Sequence, residues 1–154
     1  VGLMMLQIMP SDSPYDQKTK TEAKRLGYAM QLTNFLRDIA EDWSERKRIY
    51  IPGDILAKYT IDLEDFDTQS YPEGWNGMMK ELVEQSRTWY DQAAPGIRKL
   101  PKGFEAAVGI SSVLYSRYLD MIEKSDYRIW HNTYSMSKLQ KLCIALPTYL
   151  FRRY

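Results

Sequence analysis

The residues best suited to chemistry are Asn34, Asp38, Glu41 and Asp42, in the stretch NFLRDIAED, with Arg46, Lys47, Arg48 and Tyr50 close behind. Residues three, four and seven apart share a helix face. On a helix, Gln31, Asn34, Asp38 and Asp42 form one polar stripe, with Gly27 one turn before it. Leu32, Leu36, Ile39, Ala40 and Trp43 form an apolar face on the other side. Asp38 and Asp42 are a like-charge pair, which costs about 0.2–0.5 kcal/mol on an exposed helix. They also lie toward the C-terminal end, where the dipole disfavours anions. Something must offset them. One reading is a solvated acidic edge paired with Arg37, Arg46 or Lys47. The other is a divalent cation, since Mg2+ takes oxygen ligands, commonly one or two carboxylates completed by substrate phosphates and water. Arg48, beside Tyr50, could then hold phosphate oxygens that the metal leaves free, because arginine offers paired donors.

A long helix must carry this stripe. From about Thr19 to Trp43 there is no proline and one glycine, Gly27, which favours helix. Before it, residues 1–9 read as an apolar helix ended by Pro10, then a polar, turn-rich loop. After it come an extended piece from Arg48 to Pro52, a short helix capped by Asp54, and a turn capped by Thr60 or Asp62. Three more helices are expected: 75–94, interrupted at Pro95; 104–124; and Ser137 toward Phe151, kinked or broken at Pro147. Strand signals are almost absent. The expected class is all-α, a helical bundle whose polar interior residues mark its function.

The chain has 154 residues, 44% of them hydrophobic, enough for one domain with a real core. Its net charge of +1 provides no global field for nucleic acid. One cysteine, Cys143, cannot form an internal disulfide and fits a reducing, cytoplasmic compartment. The single histidine, His131, cannot build a multi-histidine metal site and reads as a surface or packing residue. The chain starts at Val1 with VGLMMLQIMP, an apolar run too short to span a bilayer. It has no basic lead-in of a secretory peptide, and reads as the tail of a helix in a longer protein. The C-terminal stretch KLQKLCIALPTYLFRRY mixes apolar residues with Lys138, Lys141, Arg152 and Arg153. It fits a core helix with a basic tip or a peripheral membrane contact.

LGYAMQLTNFLRDIAEDWSERKRIYIPGDIL, Leu26 to Leu56, resembles the second aspartate-rich signature of phytoene and squalene synthases, the head-to-head prenyltransferases. Gln-Leu-Thr-Asn, Arg-Asp-x-x-Glu-Asp and Arg-Ile-Tyr-Ile-Pro follow in the family's order and spacing. VGLMML, VLYSRYLDMIEKSDY and SKLQKLCIALP resemble further helices of the family, so the likeness covers nearly the whole chain, and the ending tilts it toward phytoene synthase.

The resemblance implies an all-α isoprenoid-synthase fold, with residues 1–154 as the C-terminal part of one domain. It implies two facing DxxxD motifs that hold Mg2+, or Mn2+ in its place, against the diphosphates of two prenyl substrates. It implies condensation through a cyclopropyl diphosphate, for a phytoene synthase without NADPH. By position, Asp38 and Asp42 are implied as metal ligands supported by Asn34. Gln31, Arg37, Glu41, Arg48 and Tyr50 shape the diphosphate end. Val1, Met5, Ala23, Leu26, Gly27, Met30 and Tyr115 line the prenyl tunnel. Each has a plainer reading: Gly27 as a close-packing position, Arg37 paired with Glu41, the apolar residues and Tyr115 as ordinary core.

The sequence departs from the family in two places. The facing DxxxD helix is not found; Asp62 to Asp67 is one residue too long, and Asp65 and Asp67 are two apart. Lys47 stands where the family often has a glycine before Arg-Ile-Tyr. Residues 1–154 alone are therefore expected to be inactive. Two alternatives remain: a squalene or dehydrosqualene synthase acting on farnesyl diphosphate, and a non-catalytic assembly-factor relative.

Overall fold

The computed structural model describes residues 2–11 and 14–152, and all secondary structure among them is helical. The helices are α1 (Gly2–Ile8), α2 (Gln17–Arg46), α3 (Gly53–Lys58), α4 (Leu63–Asp67), α5 (Trp75–Ile97), α6 (Phe104–Lys124) and α7 (Lys138–Phe151). The 30-residue α2 is the central element; α1, α5 and α6 pack against it, and α7 lies on α6.

Asp16 starts α2 by accepting the Thr19 N–H at 2.6 Å. Leu36, Ile39 and Trp43 are buried, as the apolar face requires, while Leu32 and Ala40 are half-buried. A buried hydroxyl knot ties α2 to α5. Thr33 and Ser86 both donate to the Ala29 carbonyl, at 2.8 and 3.0 Å, and Tyr90 OH lies 3.1 Å from Thr33 Oγ1. A second cluster surrounds Phe66, whose ring lies 5.4 Å from Trp43, 5.8 Å from Trp75 and 5.7 Å from Trp130.

Several local expectations need correcting. Pro52, not Asp54, precedes α3; Asp54 sits in the first turn and accepts the Ile55 N–H. Asp62, not Thr60, caps α4. α5 continues through Pro95 to Ile97, and α7 continues through Pro147. Both prolines are exposed, so the carbonyls they leave unpaired, of Asp91 and Cys143, can face water. Nor is α7 a core helix. Only Thr148 is buried on it, and Leu139, Leu142, Leu146 and Leu150 are exposed.

Candidate active site

Two cavities lie along α2. The first, of about 510 Å3, is apolar and is walled by α1, α2, α5 and α6. Met5, Ala23, Leu26, Gly27 and Met30 all line it, as the tunnel assignment requires. Val1 lies outside the described residues. Tyr115 is not in the lining; it is half-buried one turn beyond Ser111, the last α6 residue of the wall, and its ring is 6.1 Å from Tyr118. α1 reaches the wall by close contact: a Cβ on Gly2 would stand 2.0 Å from the Ala23 carbonyl oxygen. Gly27 serves both of its readings, facing the cavity while lying beside the Gly2 backbone.

The second cavity, of about 470 Å3, is polar and begins at Arg37, about two turns beyond the last α2 residue of the first. Arg37, Asp38, Ala40, Glu41 and Ser44 form one wall; Gln69 and residues 130–134 form the other. At about 100° per residue, Ala23, Leu26, Met30, Asn34, Arg37 and Glu41 fall on one side of α2, so the two cavities lie on the same side of the helix. Asn34 stands between them. Its Oδ1 is buried and has no hydrogen-bond partner.

The carboxylates are partnered. Arg37 grips Asp38 with two hydrogen bonds, at 2.6 and 2.7 Å, and Arg46 reaches Asp42 at 2.8 Å. The ion-pair reading of the acidic edge therefore holds for this state, with Asp38 rather than Glu41 as the partner of Arg37. The bond to Asp38 raises the Arg37 pKa further, and its guanidinium also lies 4.8 Å above the Tyr118 ring. Tyr50 folds back onto α2 and stacks on Phe35 at 4.5 Å, on the side that carries Gln31 and Asp42. Arg48 is exposed and its side chain makes no hydrogen bond or ion pair among the described residues.

The donors fit Mg2+. Asn34, Asp38 and Asp42 offer only oxygen, one turn apart each, and an orphaned amide oxygen is what a hard cation would satisfy. Among the described residues no group of three His, Cys, Asp or Glu side chains could hold a metal, so a cation here would need phosphate and water oxygens to complete its shell. One further four-residue spacing, Asp12 to Asp16, is not helix-borne: Asp16 caps α2 and Asp12 lies outside the described residues.

The sequence pattern of the squalene/phytoene synthases matches residues 1–142. The chain belongs to this family. Among squalene/phytoene synthases, it is 37% identical over 150 residues to a chloroplastic phytoene synthase of Narcissus pseudonarcissus, covering 96% of this chain and 35% of that one. It is 34% identical over 161 residues to 15-cis-phytoene synthase of Synechococcus elongatus, covering 99% and 52%. The chain thus spans about half or less of the length of these relatives. A ligand-bound dehydrosqualene synthase structure superposes with a TM-score of 0.83 at 22% identity, over 99% of this chain and 52% of that one. That likeness establishes the all-α isoprenoid-synthase fold of the family.

Sequence reasoning missed three parts of the site. Phe35 positions Tyr50. Residues 130–134, including His131, form the facing wall of the polar cavity, held there by Trp130, whose backbone N–H bonds Tyr71 OH at 3.0 Å. Glu22 is a buried charge in the apolar wall. The clustering of aromatics in residues 66–75 and 127–134 was the available signal for the second; nothing local marks the other two.

Proposed function

We propose that residues 1–154 supply one wall of a head-to-head prenyltransferase site that condenses two prenyl diphosphates, geranylgeranyl diphosphate to phytoene, in carotenoid biosynthesis. The observation that carries this reading is the pair of cavities on one side of α2, an apolar one walled from Thr19 to Met30 and a polar one walled from Arg37 to Ser44 that includes Asp38 and Glu41. A prenyl diphosphate has the same two-part chemistry. The phytoene synthase relatives at 37% and 34% identity support the longer substrate over farnesyl diphosphate.

Asn34, Asp38 and Asp42 would hold Mg2+, or Mn2+, which when bound neutralises the departing diphosphate. Arg37 releases part of its grip on Asp38 and turns donors toward phosphate oxygens; Arg48 and Tyr50 add donors from the loop, and Gln31 and Glu41 border the same end. The apolar cavity takes the prenyl chain and keeps water from the allylic carbon as it gains positive charge. No nicotinamide cofactor is required. The exposed leucines of α7, edged by Lys138, Lys141 and Arg152, suit contact with a membrane surface, where an apolar product would go.

Calorimetric titration with the unreactive geranylgeranyl thiodiphosphate tests this. Binding should require Mg2+ or Mn2+, and Asp38→Ala and Asp42→Ala should each weaken it about tenfold or more. Metal-independent binding, or unchanged affinity in both variants, would sink the assignment. Turnover is expected only when a chain bearing the facing DxxxD helix is added; turnover by residues 1–154 unaided would overturn the two-motif part.

A further inference from the structure

The apolar cavity has a charged residue in its wall. At its end farthest from Asp38, the wall contains Thr19 and Glu22, and both are buried. Glu22 is only 4% exposed, against an otherwise apolar lining of Ala23, Leu26, Ile97, Leu100 and Phe104. Two features hold it there. Lys99, on the turn after α5, reaches in to place Nζ 3.1 Å from Glu22 Oε2 and 3.4 Å from Thr19 Oγ1. Gly96 leaves the room that Glu22 occupies: a Cβ there would stand 2.6 Å from Glu22 Cβ and 2.9 Å from Oε2. A buried carboxylate is kept only when paired, and separating the pair exposes an uncompensated charge to apolar surroundings.

We infer that the Glu22 side chain, pinned by Lys99 and seated on Gly96, is the stop that limits how long an apolar chain the cavity accepts. Glu22 precedes Asp38 by sixteen residues, roughly 24 Å along the helix axis at 1.5 Å per residue. A chain anchored at the acids and lying along α2 reaches the level of the Glu22 side chain at its tail. An added isoprene unit must displace Glu22 from Lys99 and offers nothing to replace that partner. This makes Glu22 a specificity-determining residue with no part in the metal or diphosphate chemistry. The inference rests on the proposed function, with the cavity as the prenyl site and the acids as the anchor that fixes where the tail falls.

Prenyl thiodiphosphates of graded length, titrated calorimetrically into residues 1–154 with Mg2+, test it, because all are held by the same head and differ only at the tail. The unaltered chain should bind the geranylgeranyl compound and reject the longer geranylfarnesyl one. Glu22→Ala should raise the relative affinity for the geranylfarnesyl compound about tenfold or more, and Glu22→Gln, which keeps the shape but not the ion pair, should raise it less. Gly96→Ala, which pushes Glu22 into the cavity, should move preference the other way, toward the farnesyl compound, and provides the test should Glu22→Ala fail to fold. Unchanged ratios in the folded variants would overturn the inference and leave the proposed function standing, whereas failure of the unaltered chain to bind any of the three would overturn both.

Discussion

Lys47 closes α2 at a φ of 51°, in the left-handed region, where a Cβ costs about 1–2 kcal/mol and glycine costs nothing. Its N–H bonds the Trp43 carbonyl at 3.0 Å and the next N–H, of Arg48, bonds Asp42 O at 3.2 Å, which turns the Arg-Ile-Tyr segment back along the helix. The side chain offsets part of the cost, reaching Asp67 at 2.6 Å and the Trp43 ring at 5.0 Å, but both charged groups are exposed and such a pair contributes little. Lys47→Gly should therefore be more stable than Lys47→Ala by about 1 kcal/mol, the reverse of their order inside a helix. Urea titration of the two variants checks this; equal midpoints would mean that the angle relaxes without cost. The departure from glycine was plain in the sequence. Its conformational meaning was not, because a left-handed residue other than glycine has no signature of its own.

Between elements, the α2–α5 contact carries a titratable group. Burial pushes the Tyr90 phenol up to about 12, with the contact to Thr33 acting in the opposite direction. A pKa raised on folding favours the neutral form, so this contribution is full below about pH 10 and is lost as pH climbs toward about 12. Two units correspond to about 2–3 kcal/mol. Unfolding free energy should fall by that order across this window, and Tyr90→Phe should flatten this part of the fall. An unaltered slope in Tyr90→Phe would assign the loss to other groups. The helices themselves were legible from periodicity and, for α7, from a start near Ser137, whereas the cap at Asp16 lay in a stretch that read as loop. The prolines misled at 95 and 147 because exposed final turns tolerate a missing N–H that a buried helix interior does not.

Across the whole molecule, the acidic stripe was readable because it lies on one helix, where spacing fixes direction; the apolar lining came from the family resemblance, since by spacing alone those residues read as core. The facing walls were not. Trp130 meets Phe66 from 64 residues away, and Lys99 meets Glu22 from 77; no local pattern encodes such pairings. The outer surface was half legible: the basic and apolar residues of α7 were visible, but not that Leu139, Leu142, Leu146 and Leu150 face outward. Among the described residues no helix is long and apolar enough to cross a membrane. The contact proposed for α7 is with a membrane surface: vesicles containing anionic lipid should retain the chain at low salt, and Leu142→Asp with Leu146→Asp should release it. Equal retention of the double variant would remove α7 from the contact.

The unbroken run of α2 from Gln17 to Arg46 has one more consequence. The same backbone aims the apolar lining and the acids, so their relative aim is a matter of phase. Inserting a single residue between Met30 and Asn34 would swing Asp38 and Asp42 by about 100° around the axis while leaving every side chain in the sequence intact. A seven-residue insertion would nearly restore the angle but slide the acids roughly 10 Å away from the lining. Pocket and anchor on α2 can be retuned one side chain at a time, yet they are geared together like cams on one shaft, and the chain between them can be neither lengthened nor shortened without putting them out of time.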